Sequence, residues 1–170
     1  MPLYHLGGKR VPLLIGLWVL LLVAVGCRSE PERLKIGDPA PDFTAEDLQG
    51  NAVSLADYAG KPVILRFWST DCKYCRADTP IFNRYFDRYQ KQGLRVVYIN
   101  TESTPAEVRQ FVEDLDIIFP VIAQGGAIAE QYNVKIVPQT IILDPEHQIV
   151  AAILGGVSKE ELQDLLGQYL

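Results

Sequence analysis

An apolar run from Pro62 to Trp68, interrupted only by Arg66, breaks off just before a CxxC pair, Cys72 and Cys75, and this stretch constrains the fold more than any other. A run with so little polarity reads as a strand covered on both faces. Beyond it, Ile81, Phe82, Tyr85, Phe86 and Tyr89 recur at helical spacing while Arg84, Asp87, Arg88 and Lys91 fill the other side, which predicts an amphipathic helix from Cys75 to Gln92, ending near Gly93. The pair therefore falls where a buried strand gives way to a helix. Unpaired backbone N–H groups and the positive end of the helix dipole favour a thiolate there. Lys73 and Tyr74 separate the cysteines, a spacing that brings two sulfurs within bonding distance on one turn. Cys72 is then the exposed nucleophile and Cys75 the inner, resolving thiol. Lys73 favours the thiolate and Asp71 opposes it, so the direction of redox transfer stays open.

CxxC is also half of a tetrahedral zinc site, but the other half is missing. Cys27 is the one further cysteine, and His5 and His147 are isolated from the pair. A purely structural disulfide is a poor account as well, because so small a loop removes little chain entropy. The formal charge of −5 comes with no basic patch, which argues against nucleic acid.

Val11 to Gly26 is free of charge and follows Lys9 and Arg10, the pattern of an export signal. It is short for a membrane span, which wants about 20 apolar residues. Its end, Ala24-Val25-Gly26-Cys27, resembles the lipobox of bacterial lipoproteins, in which the cysteine is lipidated and becomes the first residue; leucine is usual where Ala24 stands. The alternative is an uncleaved anchor. In both cases the folded part is expected outside the cytoplasm, tethered to a membrane. The expected organisation is an export segment over 1–26, a lipidated Cys27 with a polar tether over 27–36, and one domain over 37–170.

Within that domain Asp47 to Asn51 reads as a turn between two short strands. Leu94 to Asn100 is a strand, Pro105 to Leu115 a helix capped at Thr104, Phe119 to Ala123 a strand and Ala127 to Tyr132 a short helix. Thr140 to Leu143 and Ile149 to Leu154 form a hairpin, and Ser158, with Glu161 behind it, caps a last helix running to Leu170. This order demands an α/β fold, a mixed sheet with helices on both faces.

CKYC after an FW pair, Ile136-Val137-Pro138 ahead of a strand, and the helix and strand inserted between them resemble the thioredoxin superfamily. The GDPAPDF opening, the FWSTDCKYCRADTP signature and the expected anchor are most similar to its membrane-tethered TlpA/ResA-like thiol-disulfide oxidoreductases. The resemblance implies a thioredoxin-like three-layer fold with a mixed central sheet, an N-terminal hairpin extension and an inserted helix-strand unit. It implies that Cys72 attacks, that Cys75 resolves the mixed disulfide, and that Pro138 is a cis-proline beside them with the Val137 backbone pairing to substrate. Trp68 matches the family's aromatic residue before the site. Protein disulfides would be the substrates, apocytochrome c among them, with a membrane thiol carrier as electron donor and no cofactor.

Two departures stand out. Asp71 replaces the tryptophan common before the first cysteine. Arg66 stands where thioredoxins carry an acid that relays protons to the inner thiol, and arginine cannot act as that base. Asp78, matching the position of a glutamate in ResA-like members, lies one helical turn beyond Cys75. Arg66 and Asp78 are expected either to pair beneath Cys75 or to lie apart at the surface. Two other functions share such a fold. A peroxiredoxin-like thiol peroxidase also opens on PxPDF but uses a Thr and a Pro ahead of a lone cysteine, and Thr70 has no such proline. A noncatalytic or copper-binding lipoprotein would use the two thiolates for Cu(I), but the distant histidine that copper chaperones of this fold usually add has no good match, since His147, in the hairpin turn after Pro138, is expected to lie too far away.

Overall fold

The computed structural model describes residues 34–170. The expected export segment and Cys27 lie outside the described residues. The first elements are the short antiparallel strands β1 (Thr44–Glu46) and β2 (Ala52–Ser54), joined through the Asp47 turn. There follow β3 (Val63–Trp68), α1 (Lys73–Tyr89), β4 (Arg95–Asn100), α2 (Pro105–Asp114) and β5 (Val121–Ile122). The chain closes with α3 (Gly126–Gln131), the hairpin β6 (Gln139–Leu143) and β7 (Ile149–Leu154), and α4 (Lys159–Leu166).

Five strands form one sheet in the order β5-β4-β3-β6-β7, with β3 at its centre. β3 runs parallel to β4 and antiparallel to β6, so the sheet is mixed. Every residue of β3 is buried, which is why its sequence lacks the polar alternation of a half-exposed strand. Its period of two is expressed instead as a division between two cores. Ile64 and Trp68 join Phe82, Tyr85, Val108, Phe111, Leu162 and Leu166 from α1, α2 and α4 on one face. Val63, Leu65 and Phe67 meet Phe43, Val53, Leu55, Ile128 and Tyr132 on the other. The expected mixed α/β fold is therefore present.

Boundaries differ from expectation for identifiable reasons. α1 begins at Lys73 rather than Cys75, because the Cys72 side chain takes the capping position. β5 shrinks from the expected Phe119 to Ala123, since Pro120 has no N–H for the ladder. α4 stops at Leu166 rather than Leu170, where Gly167 is a weak helix former. Ser158 and Thr104 both form complete capping boxes, with Glu161 and Glu107.

The C-terminal end of β4 is held by a close approach at Gly125, whose N–H donates to the Asn100 carbonyl at 2.8 Å. A Cβ here would meet the Ile99 side chain and stand 2.9 Å from the Asn100 carbonyl oxygen. Gly125→Ala is accordingly expected to destabilise the domain by about 1–3 kcal/mol, as overpacking does, in urea unfolding.

Candidate active site

Cys72 is the N-cap of α1, in extended backbone conformation. Its Sγ accepts the Cys75 N–H at 3.1 Å, and its carbonyl accepts the Arg76 N–H at 3.1 Å. A sulfur thus fills the place that a serine or aspartate oxygen takes in most caps. The two cysteines are joined as a disulfide with their Cα atoms 5.2 Å apart. Cys75 is 1% exposed, whereas Cys72 is only half-buried. Of the two sulfur-bearing residues, Cys72 is the one that solvent reaches.

The loop feeding this turn is pinned from β4 and the segment after it. The Ser103 hydroxyl accepts from the Thr70 N–H (2.9 Å), lies 3.0 Å from the Thr70 hydroxyl, and accepts from the Asn100 side chain (3.1 Å), while the Ser103 N–H donates to Asn100 Oδ1 at 2.8 Å. The Thr101 N–H donates to the Trp68 carbonyl at 3.0 Å. Trp68 itself is fully buried, its ring 4.2 Å from Phe111 and 5.9 Å from Tyr98. Lys73 and Tyr74 point outward, with the Lys73 ammonium 5.0 Å from the Tyr74 ring centre. Asn100 and Ser103 were not singled out from sequence; the signal was a polar residue closing an apolar strand.

The Val137–Pro138 bond is cis. Phe67 pairs with Gln139, so Pro138 follows at the end of β3 that leads into the cysteines. The Gly155 N–H donates to the Pro138 carbonyl at 2.8 Å, fixing the loop to the end of β7. Among the described residues the Val137 backbone makes no hydrogen bond. Ile136 and Leu154, at 63% exposed each, and Tyr74, at 58%, are large apolar side chains left in solvent.

Arg66 and Asp78 come together rather than lying apart at the surface. Arg66 is completely buried, and its NH2 meets Asp78 Oδ2 at 2.6 Å. The same carboxylate oxygen accepts the Val157 N–H at 3.1 Å. The other terminal nitrogen of Arg66 donates to the Thr140 hydroxyl at 2.6 Å and to the Gly155 carbonyl at 3.1 Å. Its guanidinium also stands 5.1 Å from the Phe82 ring centre. Burial pushes the Asp78 carboxyl above the usual carboxylate range, and the Arg66 charge and Val157 N–H pull it part of the way back. Asp78 is one turn beyond Cys75 on the buried face of α1, where residues three apart are neighbours. Asp78 Oδ1 is buried without a protein hydrogen-bond partner. Thr140, Gly155 and Val157 were not legible as parts of this cluster, because each joins it through sheet register or a loop rather than through local spacing.

Taking one partner from this pair strands a buried charge. Arg66→Met or Asp78→Leu alone is expected to cost about 3–5 kcal/mol in urea unfolding, while the double variant should be about as stable as the parent. Equal losses in all three would mean that packing, not charge, dominates.

A half-open sulfur thus stands beside a buried one at a helix N-terminus, at the same sheet end as a cis-proline. The AhpC/TSA family model matches residues 36–152. The thiol-disulfide oxidoreductase ResA of Bacillus cereus is 34% identical over 142 residues, covering 83% of this chain and 82% of that protein. ResA of Geobacillus kaustophilus is 32% identical over 162 residues, covering 91% of this chain and 93% of the relative. Among solved structures, a putative thiol:disulfide interchange protein DsbE from Chlorobium tepidum superposes with a TM-score of 0.75 at 28% identity, over 80% of this chain and 98% of the other. Fold, cysteine pair and relatives agree, and the chain belongs to the AhpC/TSA family of the thioredoxin superfamily as a ResA-like thiol-disulfide oxidoreductase.

Proposed function

We propose that this chain is a membrane-tethered, extracytoplasmic oxidoreductase that reduces disulfides in proteins through Cys72 and Cys75. The observation that carries the reading is the unequal exposure of the two cysteines across one helical turn. In the reduced state the Cys72 thiolate attacks a substrate disulfide and one substrate sulfur leaves as a thiolate that takes up a proton. Cys75 then loses its proton and attacks Cys72 in the mixed disulfide, which releases the second substrate thiol and leaves the enzyme disulfide. Two electrons pass to the substrate, and a membrane thiol carrier returns them. Asp78, one turn from Cys75 and with Oδ1 unengaged, is the group placed to take the Cys75 proton.

Several observations support a protein substrate. The Val137 backbone beside cis-Pro138 has its hydrogen-bonding groups unused among the described residues, which suits pairing with an extended segment. Tyr74 and Ile136 offer exposed apolar surface on the CxxC turn and the cis-proline loop. Trp68 and Arg66 support the site from beneath. Compartments outside the cytoplasm are oxidising, so a dithiol that works there needs a continuing electron supply. The TlpA/ResA-like resemblance makes apocytochrome c, before haem attachment, the leading substrate candidate. The tether rests on the apolar stretch Val11 to Gly26 and the AVGC junction.

Cys72→Ser is expected to abolish exchange with an oxidised protein, whereas Cys75→Ser should accumulate mixed disulfides through Cys72, seen as thiol-sensitive adducts on non-reducing gels. Adducts formed by the Cys72→Ser protein would reverse the assignment. The tether is checked by mass spectrometry of protein extracted from membranes, which should show Cys27 as an acylated first residue. An intact N-terminus starting at Met1 would leave only an uncleaved anchor.

A further inference from the structure

A charged side chain in the middle of a central strand is a costly choice. The other residues of β3 are all apolar, and a well-packed apolar residue at position 66 would avoid the desolvation that a buried guanidinium incurs. Arg66 therefore invites an account beyond stability, and its partners supply one. Its two terminal nitrogens reach different parts of the active site. NH2 holds Asp78 on α1, one turn from Cys75. NH1 holds Thr140, two residues after Pro138, and the Gly155 carbonyl, whose own N–H holds the Pro138 carbonyl. The planar guanidinium is thus a rigid link between the helix that carries the cysteines and the loop that carries the cis-proline.

We propose that Arg66 is a positioning residue that fixes the cis-proline loop against the CxxC helix, so that a segment docked along Val137 is presented to Cys72. The docking half of this statement rests on the protein-disulfide reading above. The link depends on the fork of the guanidinium, not on its charge alone. Lysine would keep the charge and one bond to Asp78, but its single ammonium cannot span Asp78, Thr140 and Gly155 in the same planar geometry. Gly155 fits the scheme, since its φ of 102° lies in a region that side chains disfavour and turns both its N–H and its carbonyl into the cluster.

Two variants test the link, Arg66→Lys and Thr140→Val, the second removing only the hydroxyl that accepts from Arg66 at 2.6 Å. Amide hydrogen exchange reads the loop directly, and rates of reduction of an oxidised protein and of a small aromatic disulfide read its use. The expected result is faster exchange at the Gly155 N–H in both variants. The ratio of kcat/KM for the protein over that for the small disulfide should fall about tenfold, mainly through KM, as the loss of one hydrogen bond to a charged group allows. Unchanged exchange at Gly155 in both variants would overturn the proposal, and so would an equal loss with both substrates. If the parent enzyme shows no preference for the protein disulfide, the docking reading fails on its own terms, and faster exchange at Gly155 would still uphold the link.

Discussion

The first turn of α1 begins on a sulfur. A helix leaves its first N–H groups without intrahelical partners, and here Cys72 Sγ accepts one of them from Cys75. The same contact that starts the helix brings the second cysteine under the first. Cap, disulfide and reactive centre are one feature, and the remaining structure holds it in place. β3 supplies a fully buried base, so the turn cannot drift with the surface. The Asn100–Ser103–Thr70 network fixes the entering loop, and Trp68 is locked between the rings of Phe111 and Tyr98. Rigidity at this point has a chemical purpose, since the positive end of the helix acts only on groups within its first turn.

Charge is used very differently above and below that turn. Arg76, next to Cys75, pairs with Asp114 at 3.2 Å with both side chains well exposed, an arrangement that contributes little in water. Its guanidinium also lies 4.9 Å from the Phe111 ring centre, so much of what it offers is cover for the aromatic cluster. Arg66 and Asp78 are buried, and there the cost of removing charges from water is large; both terminal nitrogens of Arg66 are engaged, while its Nε is buried without a protein partner. Oδ2 of Asp78 is saturated by Arg66 and Val157, while Oδ1 is left open on the same buried helix face as Cys75. An acid held in this way is fixed in direction even where its ionisation is opposed by burial.

Much of this was legible in the chain itself. The Pro62 to Trp68 run and the helical spacing from Ile81 to Tyr89 located the strand-to-helix junction, because burial on two faces and on one stripe leave different periods. Capping at Ser158 and Thr104 was readable because caps are local. Strand ends were less so: β5 was overestimated where Pro120 interrupts the ladder, and the final helix was carried past Gly167. The pairing of Arg66 with Asp78 stood as one of two alternatives, since spacing places both near Cys75 but does not say whether an arginine turns inward. Its remaining partners lie 74 and 89 positions away in the chain, and only the register of β6 on β3 and the β7 end bring them near. Sequence carries local periodicity well and the meeting of distant polar groups poorly.

The central claim is that this site is an asymmetric thiol pair in which only the outer sulfur is open to attack. Its most direct test is to reduce the protein, add less than one equivalent of iodoacetamide near neutral pH, and map the alkylated cysteine by peptide mass spectrometry. The burial of Cys75 and the cap position of Cys72 predict label on Cys72, with Cys75 modified only after unfolding. Early label on Cys75, or label divided evenly between the two, would contradict the account.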